Sequence, residues 1–258
     1  EMADAIQKHG GRAIVISRGG PMVRHLDRLG VKHYQLDVHT KNPFRWPQVR
    51  RRLKAILSRE NADLVHVRSR VPAWIALPAA AALGIATVST VHGRFIALSA
   101  LKRMYNRKLL KTDHVIAISN YVKDLITSQY VDVRERLTVV HRGVDVDLFN
   151  PDNVNQTRIV NFVEGLAIPE DVPVIMLPAR ATMWKGHRIL LQALAKIKDR
   201  PFICLMIGAG DGKPAFVSEL VRYGQQLGLE GRFRLTPLVD DMPAALMVAD
   251  VVAMPSIT

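Results

Sequence analysis

Cysteine is almost missing from this chain of 258 residues: Cys204 is the only one. A lone thiol excludes an internal disulfide framework and a cysteine zinc cluster, and it favours a reducing compartment. Aromatic residues are scarce as well, at 6%, which leaves few platforms for stacking nucleic-acid bases. No run of about eighteen apolar residues occurs, so no segment reads as a bilayer-spanning helix. The longest apolar stretch, 74–84, is too short and is interrupted by Pro78. The opening Glu1-Met2-Ala3-Asp4 carries no charged-then-apolar leader pattern. With no initiator Met either, the expectation is an N-terminus that was trimmed or not captured.

What is present is an ordinary globular mix, 48% apolar and 23% charged, which excludes disorder as the main state. The formal net charge of +13 is unevenly placed. Residues 1–150 hold 25 Lys and Arg against 12 Asp and Glu, whereas residues 151–258 hold 11 of each. The whole basic excess therefore lies in the first half. Such asymmetry points to an anionic partner: a membrane surface, a nucleic acid or an acidic substrate. A solvated basic face without a partner is the plainer alternative.

Hydrophobic patterning alternates short β-branched runs with amphipathic stretches. Segments 13–17, 33–36, 64–67, 86–91, 114–118 and 137–140 read as strands apolar at successive positions, the pattern of a parallel sheet buried on both faces. Between them, 46–59 places Val49, Leu53, Ile56 and Leu57 on one helical stripe, and 72–83 reads as a buried Ala-rich helix. After Asn150-Pro151-Asp152 a second series follows. Strands are expected at 174–177, 202–207, 232–235 and 251–254, with helices at 158–165, 186–198, 215–227 and 242–249. The expectation is α/β, with two similar open parallel sheets flanked by helices, each in a Rossmann-like domain, 1–150 and 151–258. The second series stops on a strand end, which reads as an incomplete domain.

Four sequence features carry chemistry. In Pro178-Ala-Arg180-Ala-Thr-Met-Trp-Lys185-Gly186-His187, a strand gives way to a helix. Arg180 offers a planar fork and Lys185 a mobile point charge, which can converge on one anion. Gly186 permits close backbone approach, and the following helix presents free N–H groups. Together they make a plausible diphosphate clamp. Gly208-Ala-Gly210-Asp-Gly212 follows an apolar strand and allows a tight turn against a ligand, but departs from the dinucleotide fingerprint, which needs a third glycine spaced to open the helix. Thr90-Val-His92-Gly93 closes a strand where an open sheet meets its ligand, so His92 can bond a sugar hydroxyl or move a proton. In Gly143-Val-Asp145-Val-Asp147, the acidic pair reads as a turn in preference to a metal site.

These pieces, in this order, resemble the GT-B glycosyltransferases of family four, the retaining group that uses nucleotide sugars. The match runs from Thr90-Val-His92-Gly93 through Ala117-Ile-Ser119-Asn-Tyr to Gly143-Val-Asp145 with Phe149 and Pro151. It continues with Arg180, Lys185-Gly186, Ile207-Gly208-Ala-Gly210 and Ala249-Asp250 leading to Pro255-Ser256. The resemblance implies two Rossmann-like domains with a donor site in the cleft. Arg180 and Lys185 would hold the donor diphosphate without a required metal or other cofactor, and His92 would reach the transferred sugar. Gly93, Gly186, Gly208 and Gly210 would let backbone approach the donor, a UDP-, GDP- or ADP-sugar. Leu238 and Val239 stand in the segment expected to read its base. Two family features are expected outside the chain: a Gly-rich loop before Glu1 and a Glu-x7-Glu motif beyond Thr258.

In such enzymes the N-terminal domain holds the acceptor. Here its charge concentrates at Phe44-Arg45-Trp46 with Arg50 to Lys54, and at Leu101-Lys102-Arg103 with Arg107 to Lys111. Both mix basic with apolar residues, as interfacial helices do. The expected activity is sugar transfer to a glycan or lipid-linked acceptor in bacterial cell-surface polysaccharide or lipopolysaccharide synthesis. It would take place in the cytoplasm, with docking on the anionic inner face of the membrane. The alternative for the basic helices is that their apolar residues face the core and their charges are solvated. The alternatives for the chain are a nucleotide-sugar 2-epimerase of the same fold, a basic nucleic-acid or membrane-binding module, or a catalytically dead relative. No zinc spacing or aromatic RNA-binding motif supports the nucleic-acid reading, so no nucleic acid is expected as partner.

Overall fold

The computed structural model describes residues 2–257 other than 21, 94, 96 and 98. The start at Glu1 and the end at Thr258 lie outside the described residues. Contacts divide the chain into two compact units, Glu1–Gly143 and Val144–Thr258.

In the first unit, helices α1 (Met2–Lys8), α2 (Val23–Arg28), α3 (Trp46–Arg59), α4 (Arg70–Ala81), α5 (Ala100–Arg107) and α6 (Asn120–Thr127) alternate with strands. The strands are β1 (Ile14–Ser17), β2 (Lys32–Gln35), β3 (Leu64–Val67), β4 (Ala86–Val91), β5 (His114–Ala117) and β6 (Leu137–Val139). All pairing is parallel. The strands form a four-stranded sheet, β3-β4-β5-β6, and a separate β1-β2 pair. Burial agrees with the division. The central strand β4 is buried at four of its six positions, whereas no residue of β1 is fully buried and only Val67 of β3 is. Helix α3 turns Val49, Leu53 and Leu57 into a core with Ile75, Leu110, Val115 and Ile126. That burial, about 1.5–3 kcal/mol per large apolar side chain, fixes its orientation.

The second unit contains α7 (Gln156–Gly165), β7 (Val174–Met176), α8 (His187–Ala195), β8 (Ile203–Ile207), α9 (Pro214–Gln226), β9 (Phe233–Thr236), α10 (Met242–Val248) and β10 (Val251–Val252). Its parallel sheet has the order β10-β7-β8-β9. Strand β8 is buried at all five positions. The two-residue period sends Cys204 and Met206 to one face, where Leu191 and Leu194 of α8 and Leu220 of α9 cover them. Ile203, Leu205 and Ile207 go to the other face, against Ala245 and Leu246 of α10 and Phe162 of α7. Burial pushes the Cys204 thiol up to about 12, so it is a packing group and not a nucleophile.

Among the described residues no helix is long and apolar enough to cross a membrane. The two basic segments differ. Helix α3 buries its apolar stripe, although Phe44 just before it is 92% exposed. Helix α5 ends at Arg107, and a 3-10 turn over Lys108–Leu110 takes Leu109 and Leu110 inward. Leu101 and Met104 stay 72% and 57% exposed among the basic residues of α5.

Candidate functional site

In the second unit, the segments that follow three adjacent strands pack together. After β7, the chain runs through Ala179 and Arg180 to a 3-10 turn at Met183–Lys185, and Gly186 then opens α8. Gly186 is left-handed, with φ +78°, and a Cβ there would collide with the carbonyl oxygen of Pro255. The loop after β8 is fitted between its neighbours. Gly208 has φ +79° and lies against the backbone of Ala179 and Arg180 and the side chain of Leu238. Gly210 donates to the Thr236 carbonyl at 2.8 Å. A Cβ on Gly212 would come within 2.7 Å of the Ala181 Cβ. Asp211 Oδ2 accepts the Leu238 N–H at 2.7 Å, which fixes the segment after β9.

Of the residues singled out in this half, the structure brings Arg180, Gly208, Gly210 and Leu238 into one neighbourhood. The side chain of Arg180 is exposed, and Lys185 Nζ lies 4.6 Å from the ring centroid of Trp184. Among the described residues neither cation forms an ion pair. Leu238 is 70% exposed, whereas Val239 packs against the apolar cluster of β8 and α10. Sequence reasoning gave His187 no role. Its ring is buried, and Nε2 donates to the Ala179 carbonyl at 3.1 Å, tying the start of α8 to the residue before Arg180. Burial lowers its pKa, so the neutral Nε2–H form is the resting state.

In the first unit, His92 follows β4. Its Nε2 is 3.1 Å from Arg68 Nε, and its Nδ1 is 2.7 Å from Arg142 Nη2. Arg68 directly follows β3, and Arg142 lies just beyond β6. Burial, then the charges of Arg68, Arg142 and His66, lower the His92 pKa to about 4. The ring is therefore neutral at neutral pH. Thr90 Oγ1 is bonded to His66 Nε2 at 2.7 Å. A cavity of about 230 Å³ opens here, lined among others by Arg68, Ser69, His92, Gly93, Phe95 and Leu109. A Cβ on Gly93 would meet open space, so packing does not require glycine there. Neither arginine was singled out in the sequence, because each reaches His92 only through strand order.

Two other motifs have local jobs. The Ser119 hydroxyl accepts from the Val122 N–H at 3.2 Å and caps α6. Asp145 Oδ1 accepts from the N–H groups of Asp147 and Leu148 at 3.2 and 2.9 Å, a side-chain turn of the kind expected from the sequence.

Residues 1–148 match the family described as Glycosyltransferase Family 4, and residues 172–258 match Glycosyl transferases group 1. The D-inositol 3-phosphate glycosyltransferase of Xylanimonas cellulosilytica is 33% identical over 137 residues, which cover 52% of this chain and 32% of that protein. The chain thus spans about a third of the length of that curated relative. A glycosyltransferase of Rickettsia africae, solved by crystallography, is 32% identical with a TM-score of 0.87, over 99% of this chain and 67% of that one. HepE of Anabaena, solved in complex with UDP-glucose, has the same fold, with a TM-score of 0.80 at 20% identity over 99% of this chain and 69% of its own.

Proposed function

Since the chain belongs to glycosyltransferase family 4, we propose that it moves a sugar, with retention, from a nucleotide-sugar donor to a glycan or lipid-linked acceptor. The observation that carries this reading is the exposed loop after β7. It holds two cations, Arg180 and Lys185, with no carboxylate paired to either among the described residues, beside a tightly fitted glycine loop. A departing nucleoside diphosphate accumulates negative charge, and cations held in place beforehand stabilise that charge as it develops. In this reading Arg180 grips the diphosphate, and Lys185 leaves the Trp184 ring to join it. Gly186, Gly208 and Gly210 let backbone N–H groups approach, and the segment with Leu238 and Val239 meets the base. His92 of the first unit serves the transferred sugar, and Gly93 lets backbone approach the donor. HepE was solved with UDP-glucose bound, which makes a UDP-sugar the first donor to try.

Calorimetric titration with UDP, GDP and ADP tests the clamp. One nucleotide is expected to bind, and Lys185→Ala is expected to weaken it by about tenfold or more, the worth of one charge-assisted hydrogen bond. Absence of binding by all three to the folded protein would sink the reading.

The acceptor pathway is proposed on charge. The basic excess in residues 1–150, with Leu101 and Met104 exposed on α5 beside Lys102 and Arg103, supports peripheral docking on an anionic inner membrane face during cell-surface polysaccharide or lipopolysaccharide synthesis. Each basic residue near such a surface contributes about 1 kcal/mol. Sedimentation with anionic vesicles is expected to show binding that falls with salt and with Lys102→Glu/Arg103→Glu. Equal binding to neutral vesicles would end the electrostatic version.

A further inference from the structure

Arg50 Nε on α3 and Trp74 Nε1 on α4 are buried N–H donors with no hydrogen-bond partner. A buried donor left unpaired costs stability, so two in one place call for a physical reason. They belong to one cluster. The Trp74 ring is stacked with Trp46, one helical turn before Arg50, at 5.8 Å between centroids, and with Tyr105 of α5 at 6.4 Å. Lys108, directly after α5, holds its ammonium 5.6 Å from the Trp74 ring centroid. The contrast lies within the stack itself, since the Trp46 indole N–H donates to the Thr40 carbonyl at 2.9 Å.

The charge around these donors is of one sign. Burial, then the charges of Lys111 and Arg50, lower the Lys108 pKa, so three cations stand close enough to repel one another. Among the described residues no carboxylate pairs with any of the three, although Arg107, the neighbour of Lys108, is paired with Asp132 at 2.7 Å. The spacing of Trp74, Leu77, Pro78 and Ala81 marks one face of α4. That face leads from the cluster to a cavity of about 440 Å³, lined among others by Leu77, Ala81, Ile85 and Lys111. Asp113 also lines it, but its Oδ2 already accepts from the N–H and the hydroxyl of Thr87, both at 2.7 Å.

We propose that Arg50, Trp74 and Lys108 form a binding site for a phosphate monoester, with Lys111 at its edge and the body of the ligand lying along Leu77 and Ala81. Such a group carries about −1.5 to −2 at neutral pH and three acceptor oxygens. The oxygens satisfy two N–H groups on helices and one mobile ammonium, and their charge offsets the crowding of three cations. Water does not reach either N–H group, so the flexible stems of Arg50 and Lys108 swing aside as the ligand enters. The site draws on no residue of the donor loop or of the His92 surroundings, and it stands independently of the proposed function.

The chain has three tryptophans, Trp46, Trp74 and Trp184, so the indole N–H signals report the site directly. The test follows them by proton–nitrogen NMR, assigned with Trp74→Phe and Trp184→Phe, while inorganic phosphate is titrated in at constant ionic strength. Trp74 is expected to move downfield and saturate, and Trp46, already bonded to Thr40, to stay in place. Lys108→Gln is expected to weaken binding by about tenfold or more, and Arg50→Lys, which keeps the charge and loses the Nε–H, by about threefold or more. An unmoved Trp46 signal and an unchanged melting temperature would show that the variants fold. No saturable Trp74 shift, or the parent's affinity in both variants, overturns the proposal. An equal response to acetate overturns the assignment to phosphate. Glycerol 3-phosphate, read at Trp74, and vesicles containing phosphatidic acid, read by sedimentation that Arg50→Lys reduces, separate a soluble ester from a lipid headgroup. A response to inorganic phosphate with neither of them means an adventitious ion only and also overturns it. Trp184 reports the donor loop. Nucleotide binding without a phosphate response at Trp74 removes only this site, and a Trp74 response without nucleotide binding removes only the donor clamp.

Discussion

Gly186 has two independent reasons to be glycine. Its φ of +78° is disfavoured for any residue with a Cβ, and that Cβ would collide with the Pro255 carbonyl. The obstacle is backbone and cannot swing aside. Gly186→Ala is therefore expected to cost about 2–5 kcal/mol of stability, read as a lower urea midpoint. Gly143→Ala is the control, since a Cβ there meets open space and φ is not positive; it should stay within about 0.5 kcal/mol of the parent. A Gly186→Ala variant as stable as the control would mean that the loop rearranges. At this scale the sequence is readable where chemistry is local. Arg180, Lys185 and Gly186 stand in one decapeptide, and their types suggest anion binding before any fold is known. The partners of His92 are not readable in that way. Arg68 and Arg142 are 24 and 50 residues from it, and only the order β3-β4-β5-β6 brings them to one strand end. His187 shows a third case: it is visible in the motif, but its use as a backbone tie depends on burial.

Elements are legible when their own pattern specifies them. Helix α3 and strands β3 and β4 have the bounds their hydrophobic periodicity predicts. Pairing does not, because no residue of β1 states which strand edge it will meet. Short helices are a different matter, since seven residues hold too few internal bonds to persist alone. Helix α10 is of this kind, and Asp241 secures it twice. Its Oδ1 accepts the Ala244 N–H at 3.1 Å, and both of its oxygens take the Arg158 fork from α7 at 2.7 and 2.8 Å. The Arg158 hydrogen bonds hold the Asp241 carboxyl below its ordinary value. Asp241→Asn keeps an oxygen for the cap and loses the charge; Asp241→Ala loses both. The alanine variant is therefore expected to be less stable than the asparagine variant by about 1 kcal/mol, the worth of an N-cap. Equal urea midpoints would show that the cap contributes nothing and that the Arg158 bond is the whole effect.

At the scale of the molecule, composition states a liability that only the structure locates. Residues 1–150 carry 25 basic and 12 acidic residues, so the carboxylates of the first unit are few, and their placement matters. Glu60 follows α3 and is nearly buried. It accepts from Lys32 at 2.7 Å, from Arg12 at 3.1 Å and from the Tyr34 hydroxyl, and so fastens the separate β1-β2 pair to the rest of its unit. The hydrogen bonds from Lys32 and Tyr34 lower its pKa from the ordinary 4.5 to about 2. A carboxyl depressed in the folded state adds stability that is fully present above its unfolded value and is lost as pH falls through the folded one. The window here runs from about 4.5 down to about 2. Protonation of the remaining carboxylates leaves the same unit with unopposed cations, which repel one another. Amide hydrogen exchange on a descending pH series should therefore show β1 and β2 losing protection before the fully buried β8. Glu60→Gln should weaken that pair already at neutral pH and flatten its response across the window. Parallel pH profiles for the parent and Glu60→Gln would mean that the acid sensitivity comes from general charge repulsion and not from this one carboxylate, and salt, which screens repulsion over about 10 Å at 0.1 M, would then restore protection in both.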